Sequence, residues 1–230
     1  MASTGPRLVI AIDGPAASGK STTAKKVDKK LGYTYIDTGA MYRAVTLAAL
    51  RAHIDPNDQS AVEDVACATS MHFERASDGS LCTILDGEDV TSEIRSPDVT
   101  THVSVVSSYP RVREHLVAQQ QQMGKEGGVV LDGRDIGTVV FPDADVKVFM
   151  VADLRARAER RQAELSTRGT PIDLGGLQAD LERRDQFDSN RALSPLAKAD
   201  DAVEIDTSTM SIDDQVTLVL ELARKKGAQT

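Results

Sequence analysis

The sequence predicts an α/β protein built on an open parallel sheet. Short apolar segments at residues 8–12, 128–132 and 146–151 alternate with longer segments that have the apolar period of a helix. This alternation is typical of a three-layer fold, in which helices cover both faces of the sheet. With 230 residues and 40% hydrophobic content, the chain can bury one such core. We therefore expect a single domain over residues 1–230, enlarged by an insertion.

A glycine-rich loop follows the first predicted strand. Residues 14–21 match the phosphate-binding pattern G-x-x-x-x-G-K-[ST], and a Lys-rich helix is predicted over about residues 20–31. Glycines let backbone N–H groups surround phosphate oxygens, and the start of the helix adds positive charge. The alternative is an ordinary Gly-rich turn between a strand and a helix, without a role in binding. We expect a site for the phosphates of a nucleoside triphosphate, formed by Gly14, Pro15, Ala16, Ala17, Ser18, Gly19, Lys20, Ser21 and Thr22.

Two of these residues have specific expected roles. The Lys20 ammonium group is placed to reach the β- and γ-phosphates, and the Ser21 hydroxyl is placed to ligate Mg²⁺. A second metal-handling acid is expected at Asp132, which ends the predicted strand at 128–132.

Composition argues against several function classes. The net charge of −8 and the pI of about 5.0 argue against a protein that coats nucleic acid, and only 3% of the residues are aromatic, which argues against base stacking on single strands. Cys67 and Cys82 have no spacing typical of a metal or redox site, so we expect free thiols. The apolar run at 8–12 is too short for a signal peptide or a membrane span. We expect a cytoplasmic protein without membrane or nucleic-acid partners.

A second set of site candidates follows the next predicted strand, at residues 33–36. Because ligands bind beyond the carboxyl ends of parallel strands, we expect Asp37, Thr38, Tyr42 and Arg43 to face the same crevice as the glycine-rich loop. Asp37 or Thr38 as a simple helix N-cap remains an alternative, as does a solvated helix face for Arg43. Capping and binding are compatible.

Residues 71–90 break the alternation of strands and helices. Three short strand-like segments are separated by Ser-Asp-Gly and Asp-Gly turns, which is the pattern of antiparallel hairpins. We interpret this block as a small antiparallel lobe within an insertion at residues 58–105. His72 has no accompanying catalytic motif, so we expect an ordinary strand residue.

Arginines mark three further segments. Arg111 and Arg113 lie on the first turns of a predicted helix, where positive charge opposes the helix dipole and is expected to serve a ligand or to remain a solvated surface. Arg134 and Asp135 follow the strand-end Asp132 in a turn; a self-contained pair is the alternative. Residues 155–191 contain eight Arg and no Lys.

Arginine without lysine favours bidentate contact with phosphates. Two Arg-rich helices joined by a Gly/Pro/Thr segment predict a mobile lid at residues 157–185. Salt bridges between the two helices are the competing explanation for about half of these arginines.

Together these features favour phosphoryl transfer over other uses of the loop. A guanine-nucleotide switch would show an N-K-x-D motif, which is absent, and a motor-type ATPase would place Glu after the strand-end Asp132, where Gly133 stands. A second cationic set, Arg43, Arg134, Arg184 and Arg191, predicts an acceptor that is itself phosphorylated. Such a transfer needs alignment, Mg²⁺ and cations rather than a dedicated base.

The motifs resemble those of bacterial cytidylate kinases, in the same order and nearly end to end. They stand at residues 12–21, 37–43, 87–95, 109–113, 132–143 and 184–191. The resemblance implies a five-stranded parallel sheet, a lid and a monophosphate-binding lobe with a small antiparallel sheet. It also implies ATP as phosphoryl donor, CMP or dCMP as acceptor, and a monomer.

Matched motif by motif, the resemblance implies roles for individual residues. Arg43, Arg134, Arg184 and Arg191 would hold the acceptor phosphate, with Lys20, Arg134 and Arg184 catalytic. Ser104, Arg113 and Asp135 would address the base and Asp188 the sugar; Asp135 would accept a hydrogen bond from the cytosine amino group. Arg157 and Arg161 are candidates for adenine stacking and lid charge. The match departs at Gln186 and Phe187, where related sequences often have charged residues.

Overall fold

The computed structural model describes residues 6–166 and 173–229. Its strands are β1 (Val9–Asp13), β2 (Thr34–Asp37), β3 (Met71–Arg75), β4 (Leu81–Leu85), β5 (Glu88–Asp89), β6 (Val129–Gly133), β7 (Val146–Val151) and β8 (Val203–Asp206). Its helices are α1 (Lys20–Leu31), α2 (Thr38–Arg51), α3 (Gln59–Ala68), α4 (Pro97–Val106), α5 (Pro110–Gly124), α6 (Leu154–Ser166), α7 (Leu174–Asn190) and α8 (Ile212–Lys225).

The chain divides into two compact units. The first contains the described residues up to Ile36 and from Gly124 onward, and the second comprises Asp37–Met123. The predicted insertion at 58–105 lies inside the second unit, and its bounds stay a prediction. In neither unit is any described helix both long and apolar enough to cross a bilayer.

A five-stranded parallel sheet forms the centre of the first unit. Its strand order is β2-β6-β1-β7-β8, and β1 pairs in parallel with both β6 and β7. The central strands are apolar on both faces because helices cover both sides; Ile10, Ile12 and Leu131 are fully buried. The predicted α/β class and five-stranded parallel sheet are confirmed.

The strand register determines where the polar residues at the ends of β1 and β6 lie. Asp13 at the end of β1 pairs with Gly133 at the end of β6, and Ile12 pairs with Asp132. Parallel strands bring their carboxyl ends to one edge of the sheet. The phosphate-binding loop and the turn that carries Arg134 therefore leave the sheet side by side.

The second unit contains the predicted antiparallel lobe. Strands β3, β4 and β5 form a three-stranded sheet in that order, with Met71 opposite Leu85 and Ile84 opposite Asp89. Its core contains Leu47 of α2, Leu85 of β4 and Val99 of α4. A two-stranded hairpin alone is marginal in water, so the packing on α2 stabilises this small sheet.

The two helices of the predicted lid, α6 and α7, pack on each other through Ala158, Leu177 and Leu181. Partly buried Ala16 and Ala17 of the phosphate-binding loop pack against the same cluster. The segment 167–172 of the predicted lid, which includes Arg168, lies outside the described residues. Lid movement stays a prediction.

Candidate active site

The phosphate-binding loop has the backbone geometry that its glycines predict. Gly14 has φ of 145°, and a Cβ there would lie 2.1 Å from the Met150 carbonyl oxygen of β7. No other residue fits this contact. On the other side of the loop, the buried Thr207 hydroxyl donates a hydrogen bond to the Ser18 carbonyl oxygen at 2.8 Å. The loop is therefore held by the strands beside it.

Lys20 lies folded against this loop, and its Nζ donates a hydrogen bond to the Pro15 carbonyl oxygen at 2.6 Å. The pKa of Lys20 is lowered to about 7, first by burial and then by the Arg134 guanidinium. Asp132, Asp13 and Asp188 act in the opposite direction. Burial disfavours the charged form of this ammonium group, and a nearby phosphate anion favours it. A phosphate bound in the loop would therefore stabilise the positive charge of Lys20.

Ser21 and Asp132, the predicted metal-binding residues, lie in contact. Ser21 Oγ donates a hydrogen bond to Asp132 Oδ2 at 2.7 Å, and Tyr35 Oη donates one to Asp132 Oδ1 at 2.6 Å. A hydroxyl and a carboxylate are hard oxygen donors, which fit Mg²⁺. Among residues 6–166 and 173–229, no cluster of three or more His, Cys, Asp or Glu could hold a metal. Two protein groups suffice for an ion that keeps waters and binds substrate phosphates.

Three of the predicted arginines and two aspartates form a cluster next to Lys20. Arg134 Nε donates a hydrogen bond to Asp188 Oδ2 at 2.8 Å. A guanidinium nitrogen of Arg191 lies 3.5 Å from Asp135 Oδ1, and both side chains are buried. Although burial acts to raise the pKa of Asp188, Arg134 lowers it, with Arg184 and Arg191 adding to the effect. The two carboxylates and the arginines around them therefore stabilise one another.

Arg184 is the member of this cluster with an unfilled donor. Its Nε is buried and has no hydrogen-bond partner within the described chain. Burial and, next, repulsion by Arg134 lower the pKa of Arg184 to about 10, against an opposing effect of Asp188. A guanidinium group in this state favours binding of an anion, because an oxygen acceptor of the anion would satisfy the unpaired Nε–H group.

Asp13, at the end of β1, has a contact that the sequence did not indicate. Its Oδ1 accepts a hydrogen bond from the Ile136 backbone N–H at 2.8 Å, and its Oδ2 accepts one from the Gly137 N–H at 2.7 Å. Burial raises the pKa of Asp13 to about 6, although these two bonds act to lower it. Asp135 raises this pKa as well, and Lys20 lowers it.

In the second unit, Arg43 and Asp37 are held by α4 and by the segment just before it. Arg43 donates hydrogen bonds to the Ile94 carbonyl oxygen at 3.1 Å and to Thr100 Oγ1 at 2.9 Å. Asp37 caps α2 through the Ala40 N–H, as the N-cap alternative expected, and also accepts a hydrogen bond from Arg95 at 3.2 Å. Thr38, the first residue of α2, is buried.

The predicted base-binding residues of this unit lie on α2, α4 and α5. The Arg113 guanidinium lies over the Tyr42 ring, 5.5 Å from its centroid, and donates a hydrogen bond to the Ser107 carbonyl oxygen. Ser104 lies half-buried one turn before Ser107. Arg111, by contrast, is exposed and pairs with Asp64 at 3.0 Å, as a solvated surface predicts.

Arg157 and Arg161, the predicted lid and adenine contacts, lie in different surroundings. Arg157 is buried; it pairs with Asp185 of α7 at 2.6 Å and donates to the Ala16 carbonyl oxygen of the phosphate-binding loop at 3.3 Å. Arg161 pairs with Glu164 on its own helix at 2.7 Å. Arg157 thus connects both lid helices to the loop, and its adenine contact stays a prediction.

Comparison with known proteins identifies the family. The family model described as cytidylate kinase matches residues 10–225. The chain belongs to the cytidylate kinase family. A cytidylate kinase of Geobacillus sp. (strain WCH70) is 49% identical over 217 residues, covering 94% of this chain and 96% of the relative. One of Streptococcus sanguinis (strain SK36) is 49% identical over 219 residues, covering 95% and 97%.

The solved structures that align with this chain are more distant in sequence. A gluconokinase from Sinorhizobium meliloti 1021 aligns with a TM-score of 0.46 at 15% identity, covering 96% of this chain and 94% of that structure. A shikimate kinase from Acinetobacter baumannii aligns with a TM-score of 0.45 at 12% identity, covering 95% and 93%. The cytidylate kinase assignment does not depend on them.

For this member of the cytidylate kinase family, the predicted site residues are divided between the two units. The first unit holds Lys20, Ser21, Asp132, Arg134, Asp135, Arg157, Arg161, Arg184, Asp188 and Arg191. The second holds Thr38, Tyr42, Arg43, Ser104 and Arg113. The individual roles stay predictions.

Three side chains near these residues were missed from the sequence: Asp13, Tyr35 and Arg95. Asp13 and Tyr35 carry a usable signal, because each stands at or near the carboxyl end of a predicted parallel strand. Arg95 carries none outside the family motifs, since it acts through a partner that is distant in sequence.

Proposed function

We propose that the chain transfers the γ-phosphoryl group of ATP to CMP or dCMP in the presence of Mg²⁺, giving CDP or dCDP and ADP. One observation in the structure carries this proposal: the buried Lys20 of the phosphate-binding loop lies close enough to the Arg134–Asp188 pair for both charges of that pair to shift its pKa. A lysine for the donor phosphates and guanidinium groups for an acceptor phosphate thus occupy neighbouring positions in one unit. Family membership supports cytidine nucleotides as acceptors.

The donor side of the reaction uses the loop. Backbone N–H groups of residues 14–21 surround the ATP phosphates, and Lys20 leaves the Pro15 carbonyl oxygen to contact the β- and γ-phosphates. Ser21 and Asp132 would hold Mg²⁺, directly or through water. When bound, Mg²⁺ supplies positive charge at the phosphate oxygens.

The acceptor side uses the guanidinium cluster. Arg134, Arg184 and Arg191 hold the CMP phosphate so that one of its oxygens lies in line with the γ-phosphorus of ATP. The same groups stabilise negative charge on the transferring group. No general base is required, because the attacking oxygen already belongs to a phosphate anion.

Recognition of cytosine depends on Asp135. An ionised carboxylate accepts a hydrogen bond from the N4 amino group of cytosine, whereas uracil presents a carbonyl oxygen at that position. Arg113 and Ser104 donate to the acceptor atoms N3 and O2, and Asp188 binds the sugar. Asp135 is paired with Arg191 at 3.5 Å and Asp188 with Arg134 at 2.8 Å. We propose that the acceptor nucleotide joins these existing pairs.

We further propose a monomeric cytoplasmic enzyme without nucleic-acid or membrane partners. The net charge of −8 supports the absence of a nucleic-acid partner, since proteins that coat nucleic acid are basic. Sedimentation at micromolar concentration tests the monomer; a dimer would contradict it.

The activity is tested by coupled ADP release with ATP and Mg²⁺ and five acceptor conditions: CMP, dCMP, UMP, AMP and none. We expect turnover that requires an acceptor and is fastest with CMP or dCMP. Equal turnover without acceptor would indicate an ATPase, and no turnover in any condition would indicate a module that only binds ATP. A preference for another acceptor would leave the fold and the reaction type intact and overturn the assignment of substrate.

A further inference from the structure

Asp13 connects the strand that leads into the phosphate-binding loop to the turn that carries Arg134 and Asp135. It is the last residue of β1 and directly precedes Gly14. Its two carboxylate oxygens accept the consecutive backbone N–H groups of Ile136 and Gly137 at 2.8 and 2.7 Å. All three residues are buried. One side chain thus fixes the backbone immediately after Asp135.

The turn closes back on β1 because of this contact. Gly133 pairs with Asp13 across the sheet, and the chain returns to the same side chain three and four residues later. The packing leaves no spare room: a Cβ at Gly137 would lie 3.4 Å from Asp13 Oδ2 and 3.2 Å from Lys147 Cδ. The backbone of residues 133–137 is therefore held from both ends by one residue of β1.

A carboxylate suits this position better than other side chains. Two neighbouring N–H donors need two acceptor oxygens in a fixed plane, and hydrogen bonds to a charged acceptor are stronger than neutral ones. An Asn has one oxygen, and its NH₂ group would face the second N–H donor. This arrangement also holds the Asp135 carboxylate near the Asp13 carboxylate, which is unfavourable by itself and is partly offset by Lys20.

We propose that Asp13 is a positioning residue for the acceptor nucleotide. It fixes residues 134–137 so that Asp135 faces the base and Arg134 faces the acceptor phosphate, while β1 presents the phosphate-binding loop. The proposal rests on the CMP kinase activity proposed above. It differs from a purely structural role because it concerns the choice between acceptors as well as the stability of the fold.

The test compares Asp13→Asn with a matched control, Asp145→Asn. Asp145 also accepts a backbone N–H of β1, that of Val9 at 2.8 Å, but at the opposite end of the strand. We expect Asp13→Asn to lower kcat/KM for CMP by about 10- to 100-fold, through a higher KM for CMP, with KM for ATP changed less than about threefold. The CMP to UMP ratio should fall, since a displaced Asp135 no longer distinguishes the two bases. Asp145→Asn should leave kcat/KM for CMP and the CMP to UMP ratio at their wild-type values.

Two results would overturn the proposal. One is an Asp13→Asn enzyme whose kcat falls equally for CMP and UMP while KM for CMP is unchanged. The other concerns the wild-type chain: amide hydrogen exchange of Ile136 and Gly137 should be slow, and fast exchange would show that Asp13 does not hold the turn. The exchange measurement decides the matter if Asp13→Asn does not fold or if the wild type fails to phosphorylate CMP. A wild type that fails to phosphorylate CMP would contradict the proposed function, whereas fast exchange at Ile136 and Gly137 would contradict the role of Asp13.

Discussion

Asp188 Oδ2 and Arg134 Nε lie 2.8 Å apart, and this ion pair joins α7 to the turn after β6. The pair is mostly buried, and its two members come from segments more than fifty residues apart in the sequence. Although burial acts to lower the pKa of Arg134, Asp188 raises it. The pair therefore fixes the orientation of the Arg134 guanidinium.

Removing this carboxylate should weaken acceptor binding selectively. We expect Asp188→Ala to raise KM for CMP about 10- to 100-fold and to leave KM for ATP within about threefold, because Arg134 loses its orienting partner and the sugar loses an acceptor. The control is Asp180→Ala, which removes an exposed partner of Arg183 on the same helix. Steady-state kinetics with both nucleotides varied measures the effect. An equal rise in both KM values would argue against the assignment.

The Ser21–Asp132 contact predicts a change in metal dependence. Ser21→Ala removes the hydroxyl that contacts Asp132 Oδ2, whereas Ser21→Thr keeps it. We expect the Ala variant to need roughly 10- to 100-fold more Mg²⁺ for half-maximal activity and the Thr variant to stay near wild type. Activity is measured over a Mg²⁺ series at saturating ATP and CMP. If both variants follow the wild-type curve, Ser21 does not handle the metal.

Gly14 should be intolerant of a side chain for reasons of space as well as backbone angle. Gly79→Ala provides the matched control, because Gly79 also has positive φ, of 80°, but nothing lies within 4 Å of a Cβ there. We expect Gly79→Ala to cost about 1–2 kcal/mol of unfolding free energy and Gly14→Ala at least about twice that, since its Cβ would overlap the Met150 carbonyl oxygen. Urea unfolding measures both. Equal costs would show that the loop moves away from β7.

The raised pKa of Asp13 predicts a specific dependence of stability on pH. The folded-state pKa of about 6 exceeds the ordinary value of 3.8, so the folded chain binds more protons than the unfolded chain between these values. The contribution of Asp13 to stability is therefore fully present below about pH 4 and declines as pH rises through 6, by roughly 2–3 kcal/mol. Asp135 strengthens this trend and Lys20 weakens it.

Asp13→Asn cannot ionise and should lack this decline. The unfolding free energies of the wild type and the variant are measured from pH 4.5 to pH 7.5. The value for the variant minus the value for the wild type should increase as pH rises. A difference that stays constant over this range would mean that Asp13 keeps an ordinary pKa in the folded state.

The sequence predicted those structural elements that are determined by residues close together in the chain. The phosphate-binding loop, the strand ends at Asp37 and Asp132 and the hairpins at 71–90 are set by turn chemistry and by apolar period, and the structure confirms these elements. Bounds were close: the strand expected at 128–132 runs over Val129–Gly133. The turn at Ile136–Val140, with its π-helical geometry, had no local signal.

Pairings between distant residues could not be predicted in the same way. Nothing near Asp13 in the sequence indicates that it binds the N–H groups of Ile136 and Gly137, because that contact follows from strand order. The arginines of residues 155–191 show the same limit. Composition allowed both ligand contacts and salt bridges for these arginines and did not distinguish them residue by residue. The structure shows that Arg157 is buried against Asp185, whereas Arg155 pairs with Glu159 on the surface.

The most direct test of phosphoryl transfer between two nucleotides follows the phosphorus itself. The chain is incubated with CMP, Mg²⁺ and ATP labelled at the γ-phosphate, and the products are separated by chromatography. We expect the label to appear in CDP in a one-to-one ratio with the ADP formed. Label released as inorganic phosphate, with none in CDP, would contradict the proposed transfer.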